Sequence, residues 1–454
     1  MAADVIAIFD IGKTNKKFLL FNSDLKIVYQ DEQKFTEISD DEGFPSDDIA
    51  KIEQWMKGCV GGVIKSGAFE IKALNITTYG ATLMYVDKKG KRIAPLFNYL
   101  KPMPEGVMKG FYDRYGGIDE FCRKTASPAL GMLNSGLQIL WLKSKKPELF
   151  EKVKDILHFP QYLSYIFTGR VVSEYTSIGC HTAMWDFDNK RYHRWLGDEN
   201  INLPVPVPND TVYDVIINGK ALKCGIGIHD SSASLVPYFK GTKEEFILIS
   251  TGTWCIFMNP FNTEPLTAEQ LRKDSLCYIS IQQQQVKSSR LFMGHIHDAN
   301  VERLEKYFGV EAGSFRKIKT PEKRIAQLAK MPNERLFFRM GVPADYIDDS
   351  TDLSSFKTFE QAYEQLVCDL VDLGMESLEL VIPANDQTRT VYISGGFARN
   401  DLFNGLLASR LPGKKVYTSE IDNSTALGSA MVVWNSAFGK GHPPVDLGLR
   451  QIVL

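Results

Sequence analysis

The sequence predicts an α/β protein made of two domains that enclose a cleft. Its 454 residues exceed the size at which one core keeps growing, so two domains of roughly 200 to 250 residues are expected. Strand-like and helix-like segments alternate along the chain, which is typical of α/β proteins. One strand–turn–strand plan also occurs twice, roughly 240 residues apart, which indicates two related halves whose turns face a shared cleft.

The repeated plan predicts two β-hairpins. The first spans residues 5–21, where apolar strands flank a turn with Gly and Lys at 11–17. The second spans residues 247–258, with apolar strands around a Thr-Gly-Thr turn at 251–253. Glycine permits tight turns and lets a ligand approach the backbone closely, so we expect both turns at the cleft.

The elements between and after the hairpins follow from periodicity and from Gly and Pro punctuation. We predict a strand at 73–80, a further hairpin from 82–86 and its turn at 88–90, and an extended Pro-rich connection at 204–208. The predicted helices and later strands are: helices 136–143, 147–154 and 161–168 (closed by Gly169), helix 359–382, strand 390–394, helix 400–410, strand 416–417 and helix 426–437. A boundary near 238–245 divides the chain into domains of residues 1–242 and 243–454.

Composition excludes several classes of partner. The formal net charge is -2, with 24% charged and 44% hydrophobic residues, which provides no basic face for nucleic acid. No apolar run of about 18 residues and no leader pattern is found, so no membrane partner is expected. Seven cysteines are scattered without metal-ligand spacing, which favours a reducing cytoplasm. Composition leaves open whether the protein forms a homodimer.

Asp230 is the leading catalytic candidate. It lies among small hydroxyl residues in the segment 227–234, at a predicted loop-to-helix junction, where a carboxylate can deprotonate an alcohol. The alternative is a solvated Asp that caps the helix. The Thr-Gly-Thr turn at 251–253 suits backbone contact with phosphate oxygens. A base together with a phosphate cradle indicates phosphoryl transfer to a hydroxyl.

Four motifs in order resemble those of the FGGY carbohydrate kinases. They are Asp10-x-Gly12-x-Thr14, Gly227-x-His229-Asp230, Thr251-Gly252-Thr253-Trp254 and Ser394-Gly395-Gly396-x-x-x-Asn400. Within that family the run from His229 to Ser234 and the Thr-Gly-Thr-Trp turn are most similar to rhamnulokinases. The resemblance implies a two-domain actin- and hexokinase-like (ribonuclease H-like) ATPase fold, with the sugar in the first domain and the nucleotide in the second.

The resemblance also implies an ATP and Mg²⁺ site. Asp10 would hold Mg²⁺ through water, because Mg²⁺ prefers carboxylate oxygens and keeps several waters. For the Gly395-Gly396 pair the alternative is tight packing alone, and for the lysines a solvated basic turn. The residues expected to contact the nucleotide and its phosphates are Gly12, Lys13, Thr14, Asn15, Lys16, Lys17, Thr251, Gly252, Thr253, Gly395, Gly396 and Asn400.

For the sugar, the resemblance implies that Asp230 is the general base and that the substrate contacts are Tyr79, Gly80, His229 and Ser231. His229 could equally be a structural imidazole. The chain departs from rhamnulokinases at Thr78 and Thr82, where the resemblance implies acids. We therefore expect the preferred substrate to differ from L-rhamnulose.

The expected function is ATP-dependent phosphorylation of a primary hydroxyl on a ketose or deoxyketose, similar to rhamnulose, fuculose or xylulose. The alternatives are a kinase of another polyol or ketopentose, and a sugar-sensing protein without turnover. The segment His295-x-His297-Asp298 resembles a metal triad. Imidazoles two residues apart share a face only in a strand, so we expect a surface or cleft-lining loop there instead.

Overall fold

The computed structural model describes residues 2–331, 334–439 and 441–453, and it contains two seven-stranded mixed sheets. No helix in these ranges is both long enough and apolar enough to cross a bilayer. The strands are β1 Ala3–Ile11, β2 Lys16–Phe21, β3 Ile27–Gln33, β4 Ile38–Ser39, β5 Pro45–Ser46, β6 Phe69–Thr78, β7 Leu83–Val86, β8 Asp155–His158, β9 Ser173–Glu174, β10 Trp185–Asp186, β11 Arg191–Tyr192, β12 Pro206–Val207, β13 Val212–Ile217, β14 Lys220–Gly225, β15 Ile228–His229, β16 Phe246–Thr251, β17 Cys255–Asn259, β18 Ser275–Ile279, β19 Gln285–Leu291, β20 Thr390–Gly395, β21 Lys415–Ser419 and β22 Arg450–Gln451.

Helices connect and cover these strands. They are α1 Ile49–Ser66, α2 Phe111–Arg114, α3 Ile118–Thr125, α4 Ser135–Lys145, α5 Pro147–Phe150, α6 Phe159–Thr168, α7 Tyr175–Ile178, α8 Trp195–Asp198, α9 Asp230–Gly241, α10 Ala268–Arg272, α11 Met293–Phe308, α12 Glu322–Lys330, α13 Phe359–Glu379, α14 Asp401–Ser409 and α15 Ser424–Phe438, with 3₁₀ turns at Gly131–Leu133, Ser314–Lys317, Leu353–Ser355 and Gly396–Arg399.

The two sheets share one plan. The first is ordered β13-β14-β6-β1-β2-β3, with β15 also paired to β6, and the second is ordered β18-β19-β17-β16-β20-β21-β22. In each sheet the first strand of a hairpin also pairs in parallel with a later strand, as β1 does with β6 and β16 with β20. Both predicted hairpins and the α/β class are therefore confirmed.

Helices cover both faces of the first sheet. In β1 the odd-numbered residues from Val5 to Phe9 pack against α1 and α6, whereas Ile6 and Ile8 pack against α9 and α15. Because successive strand residues point to opposite faces, burial on both faces requires the continuous apolar run seen in the sequence.

Helix α9 lies between the two sheets. Its Ala233 and Val236 pack with the first sheet, and its Leu235 and Tyr238 pack with the second. The small-residue helix α15 lies directly against it, because a Cβ on Gly428 would come within 1.9 Å of the Ala233 carbonyl oxygen. A helix from the end of the chain therefore closes over the amino-terminal sheet.

Two local predictions are wrong, and a third is met only in part. Residues 87–91 form the predicted turn and Val86 bridges Arg92 in antiparallel fashion. The hairpin stays short, however, and the longer ladder of β7 is with β8, about 70 residues away in sequence. Helix α5 ends at Phe150 because the chain must extend as β8. The two histidines at 295 and 297 lie on α11, where residues two apart face different directions, so one is exposed and the other buried.

Candidate active site

Asp10 and Asp230 flank the carboxyl end of β6. Asp10 pairs in register with Thr77 of β6, and the β15 residue Ile228 pairs with the same threonine from the other side. Three parallel strands therefore end at one edge and bring together two acids that are 220 positions apart. Such edges are where open α/β sheets place their ligands.

Burial raises the pKa of both carboxyl groups to about 6. The charge of Asp230 contributes to the shift at Asp10, so the two groups sense each other. A carboxyl group with its pKa near the working pH is suited to exchange a proton, and a pair of carboxylates attracts a cation.

Asp230 is the first residue of α9. Its Oδ1 accepts the Ser231 backbone N–H at 2.6 Å and lies 3.4 Å from the His229 Nε2. The two neighbours that the sequence analysis expects to touch the sugar therefore both contact the acid. Its Oδ2 has no hydrogen-bond partner among the described residues and its side chain is 32% exposed, so one oxygen faces open space.

Asp10 contacts the amino-terminal turn of α15. The Thr425 hydroxyl donates to its Oδ2 at 2.7 Å. The Lys17 ammonium donates to Asn423 at 2.9 Å, and its charge opposes the upward shift of the Asp10 pKa. Of the predicted lysines, Lys17 is the one beside this carboxylate.

Lys16 differs from the sequence expectation. Its ammonium is 1% exposed and donates to Asp47 at 2.9 Å and to the Lys13 carbonyl at 2.8 Å. Asp47 also accepts Lys13 at 2.8 Å. Both lysines therefore bind a buried carboxylate that sequence reasoning missed, and the Lys16 ammonium does not reach the surface of the turn, which carries Gly12, Thr14 and Asn15.

The second hairpin turn is tied to the Gly395-Gly396 motif. The Thr251 hydroxyl donates to the Ser394 carbonyl at 2.5 Å and accepts the Phe397 N–H at 3.0 Å. A Cβ on Gly395, whose φ is 88°, would lie 1.8 Å from the Thr251 carbonyl oxygen, so this glycine is required for packing.

The backbone next to this contact is exposed to solvent. Gly252, Thr253 and Gly396 are exposed, and the nearest atom to a Cβ on Gly396 would be 3.9 Å away. The Asn400 side chain caps α14 by accepting the Phe403 N–H at 3.1 Å, and it donates to Tyr363 at 3.0 Å. The Gly252 N–H donates to the Trp254 carbonyl at 2.9 Å, so the backbone N–H groups that a ligand can reach here are those of Thr253 and Gly396. Asn400 stabilises the start of α14 beside them.

The residues predicted to bind the sugar are closely packed. A Cβ on Gly80 would lie 2.8 Å from the His229 ring, which explains the glycine. Burial lowers the pKa of His229 to about 4, so the ring is neutral at pH 7, and its Nδ1 has no hydrogen-bond partner in the described ranges. The Tyr79 hydroxyl donates to Asp47 at 2.7 Å. The hydroxyls of Thr78 and Thr82 bond to backbone carbonyls.

An aromatic stack beside the second turn was also missed. Trp254 is 43% exposed and stacks on Phe292 at 4.4 Å, and Phe292 stacks in turn on His295 at 4.6 Å. A Cβ on Gly294 would lie 2.3 Å from the Gly252 carbonyl oxygen, so α11 abuts the turn. The sequence signal was a Trp directly after the Thr-Gly-Thr turn.

The described residues contain no cluster of three or more His, Cys, Asp or Glu side chains that could hold a metal ion. A Mg²⁺ ion does not require such a cluster, because it binds through one or two carboxylates and retains several waters. Asp10 provides a carboxylate of this kind, with the charge of Asp230 acting on it.

Comparison with known proteins identifies relatives for both halves. Residues 5–229 match the N-terminal domain of the FGGY family of carbohydrate kinases, and residues 354–434 match the C-terminal domain of the same family. A rhamnulokinase from Halalkalibacterium halodurans is 21% identical over 459 residues, covering 94% of this chain and 92% of that protein.

Solved structures show the same architecture. A carbohydrate kinase from Novosphingobium aromaticivorans superposes with a TM-score of 0.81 at 20% identity, covering 100% of this chain and 94% of that one. A xylulose kinase from Rhodospirillum rubrum gives a TM-score of 0.78 at 14% identity, covering 99% and 94%. The fold is therefore the two-domain, actin- and hexokinase-like fold expected from the sequence.

Proposed function

Because the chain belongs to the FGGY family of carbohydrate kinases and is thus an ATP-dependent sugar kinase, we propose that it phosphorylates a primary hydroxyl of a ketose or deoxyketose. The general base in this proposal is Asp230. The observation that carries it is the carboxyl group at the start of α9, which has a raised pKa, a free Oδ2 and a second carboxylate next to it.

Asp230 would accept the proton of the attacking hydroxyl. A base with a pKa of about 6 is mostly ionised at pH 7 and still basic enough to take a proton as the oxygen attacks phosphorus. The Ser231 N–H and the neutral His229 ring fix the carboxylate from one side. Its Oδ2 is thereby left for the sugar.

Asp10 would hold Mg²⁺, which when bound neutralises charge on the phosphates. Thr425 fixes the Asp10 carboxylate, and Lys17 adds a positive charge beside it. Gly12 and Gly252 donate their own N–H groups to the Asn15 and Trp254 carbonyls and so shape the two turns. The N–H groups of Thr14, and of Thr253 and Gly396 across the cleft, would contact the nucleotide phosphates and the adenosine. Gly395 and Asn400 support this surface by packing and capping.

The sugar would lie against Gly80 and His229, which pack together beside the base. We propose a substrate other than L-rhamnulose, because the hydroxyls of Thr78 and Thr82 already bond to the backbone and no acid stands at either position.

We also propose residues 1–242 as the sugar domain and residues 243–454 as the nucleotide domain. A cytoplasmic location is proposed because the seven cysteines are free thiols.

The test is release of ADP from ATP and Mg²⁺ with L-rhamnulose, L-fuculose, D-xylulose and L-ribulose offered separately. We expect at least one ketose to raise ADP release well above the rate without sugar, and L-rhamnulose not to be the best. Rates that stay at the sugar-free level for all four would refute the substrate class. A lead of about tenfold in kcat/KM for L-rhamnulose would refute the pocket assignment.

A further inference from the structure

We propose that Lys13 and Glu37 recognise two adjacent hydroxyls of a neutral sugar, and that Asp47 positions Lys13 for this role. The inference rests on the proposed function and assigns Lys13 to the sugar instead of the phosphates. Neither Glu37 nor Asp47 belongs to any of the four sequence motifs.

The segment that carries both acids is fixed over the first hairpin turn. It runs from β3 to α1 and contains the two-stranded β4–β5 sheet. Three contacts anchor it to residues 96–101: Asp40 with the buried Lys101 ammonium at 2.5 Å, Pro45 with Asn98 at 3.0 Å, and Ser46 with Leu96 at 2.7 Å. The acids therefore have defined positions.

Asp47 is saturated by donors and largely withdrawn from solvent. Its Oδ1 accepts Lys16, and its Oδ2 accepts Lys13 and the Tyr79 hydroxyl. Although burial opposes the shift, these hydrogen bonds hold the pKa of Asp47 below its usual value, so it stays charged. Its side chain is 2% exposed, so it orients the Lys13 ammonium and does not itself meet a ligand.

Lys13 and Glu37 remain accessible. The Lys13 side chain is 27% exposed and donates to Asp47 at 2.8 Å and to Glu37 Oε1 at 2.7 Å. An ammonium has three N–H donors, so one is left. Glu37 is 42% exposed, and its Oε2 has no hydrogen-bond partner among the described residues. A free donor beside a free acceptor complements two neighbouring hydroxyls.

A chain of contacts connects this pair with Asp230. Tyr79, which bonds Asp47, is followed by Gly80, and Gly80 packs on the His229 ring next to the base. The half-buried Tyr99 completes the connection, because the charges of Lys13, Asp47, Asp230 and Glu37 all act on the pKa of its hydroxyl.

The charges around Lys13 and Glu37 favour a neutral ligand. Two lysines, at 13 and 16, face three carboxylates, at 37, 47 and 230. Because each ammonium is already paired, a sugar acid would find no uncompensated cation and would be repelled by Glu37. Ketoses with a free diol fit, and aldonates do not.

The experiment compares Lys13→Met with Lys26→Met, an exposed lysine in the turn between β2 and β3. With the best ketose of the panel, we expect Lys13→Met to raise the sugar KM about tenfold or more and to leave the ATP KM within about twofold, because a hydrogen bond to a charged group is lost. Lys26→Met should change neither constant. Asp47 keeps Lys16 and Tyr79 as partners in the Lys13 variant, and a melting curve checks that it folds.

Glu37→Gln supplies a second, independent test. This substitution removes the negative charge that would repel a sugar acid, and it frees Lys13 from its ion pair with residue 37. The kcat/KM for D-gluconate, relative to that for the ketose, should therefore rise at least about fivefold. A rise in the ATP KM alone for Lys13→Met, or an unchanged gluconate ratio for Glu37→Gln, would overturn the inference. If the wild type turns over no ketose, the proposed function fails; calorimetric titration with D-xylulose still tests the inference, which requires weaker binding by Lys13→Met than by Lys26→Met.

Discussion

At the scale of single residues, chemistry is concentrated in the two carboxyl groups at the end of β6. Burial raises the pKa of both groups, and the charge of Asp230 adds to the shift at Asp10. Replacing Asp230 by Asn keeps the shape of the side chain and removes its basicity. We expect kcat to fall by about 10² to 10⁴, as is usual when a general base is lost.

The Kd for ATP should change little in Asp230→Asn, and titration of ATP into the purified variant measures it. Ser234→Ala, one turn further along α9, serves as the matched control and should retain activity. Wild-type turnover by Asp230→Asn would exclude the assignment of the base.

The pH profile follows from the same group. A base works only when it is deprotonated, so activity should be lost as the pH falls through the pKa of about 6. Below that value kcat/KM should drop about tenfold per pH unit and above it should level off. Because Asp10 titrates in the same range, the apparent pKa belongs to the pair. A kcat/KM that stays constant as the pH falls to 5 would contradict this account.

At the scale of secondary-structure elements, the two glycine turns are joined through Thr251 and Gly395. Gly395→Ala places a Cβ 1.8 Å from a carbonyl oxygen at a φ of 88°, so it should destabilise the protein by about 3 kcal/mol or more, combining strain and overpacking. Gly413→Ala is the control, because its φ is 81° with no atom within 4 Å of the added Cβ.

Chemical denaturation of both variants measures the difference. The control should lose only the cost of the left-handed backbone, about 1 to 2 kcal/mol. Equal losses in the two variants would show that the contact with the Thr251 carbonyl does not constrain the turn.

The elements also show what the sequence could and could not predict. Asp10, Asp230 and Gly395 lie where a strand meets a turn or a helix, and such local signals are visible in one short stretch of sequence. The pairing of β7 with β8 and the Asp40–Lys101 and Lys16–Asp47 ion pairs join residues 31 to 75 positions apart. Each joins a short strand or a loop to a distant part of the chain, and no local pattern marks the partner, so nothing in the sequence indicated it.

At the scale of the whole molecule, α9 carries the base and packs against both sheets, and α15 returns from the second half to the Asp10 side. Binding of ATP and sugar should rotate the halves about residues 238–245 and exclude water from the cleft. Small-angle scattering should show a smaller radius of gyration with both ligands than with either alone. An unchanged radius at saturation would argue against closure.

The central claim is that this chain transfers phosphate from ATP to the primary hydroxyl of a ketose. The most direct test is to identify the product by NMR, after incubating the wild-type protein with ATP, Mg²⁺ and the best ketose of the panel. We predict one sugar phosphate, with phosphorus coupled to a CH₂ carbon and one ADP formed per sugar consumed. Phosphate on a secondary carbon, or inorganic phosphate without any sugar phosphate, would contradict the claim.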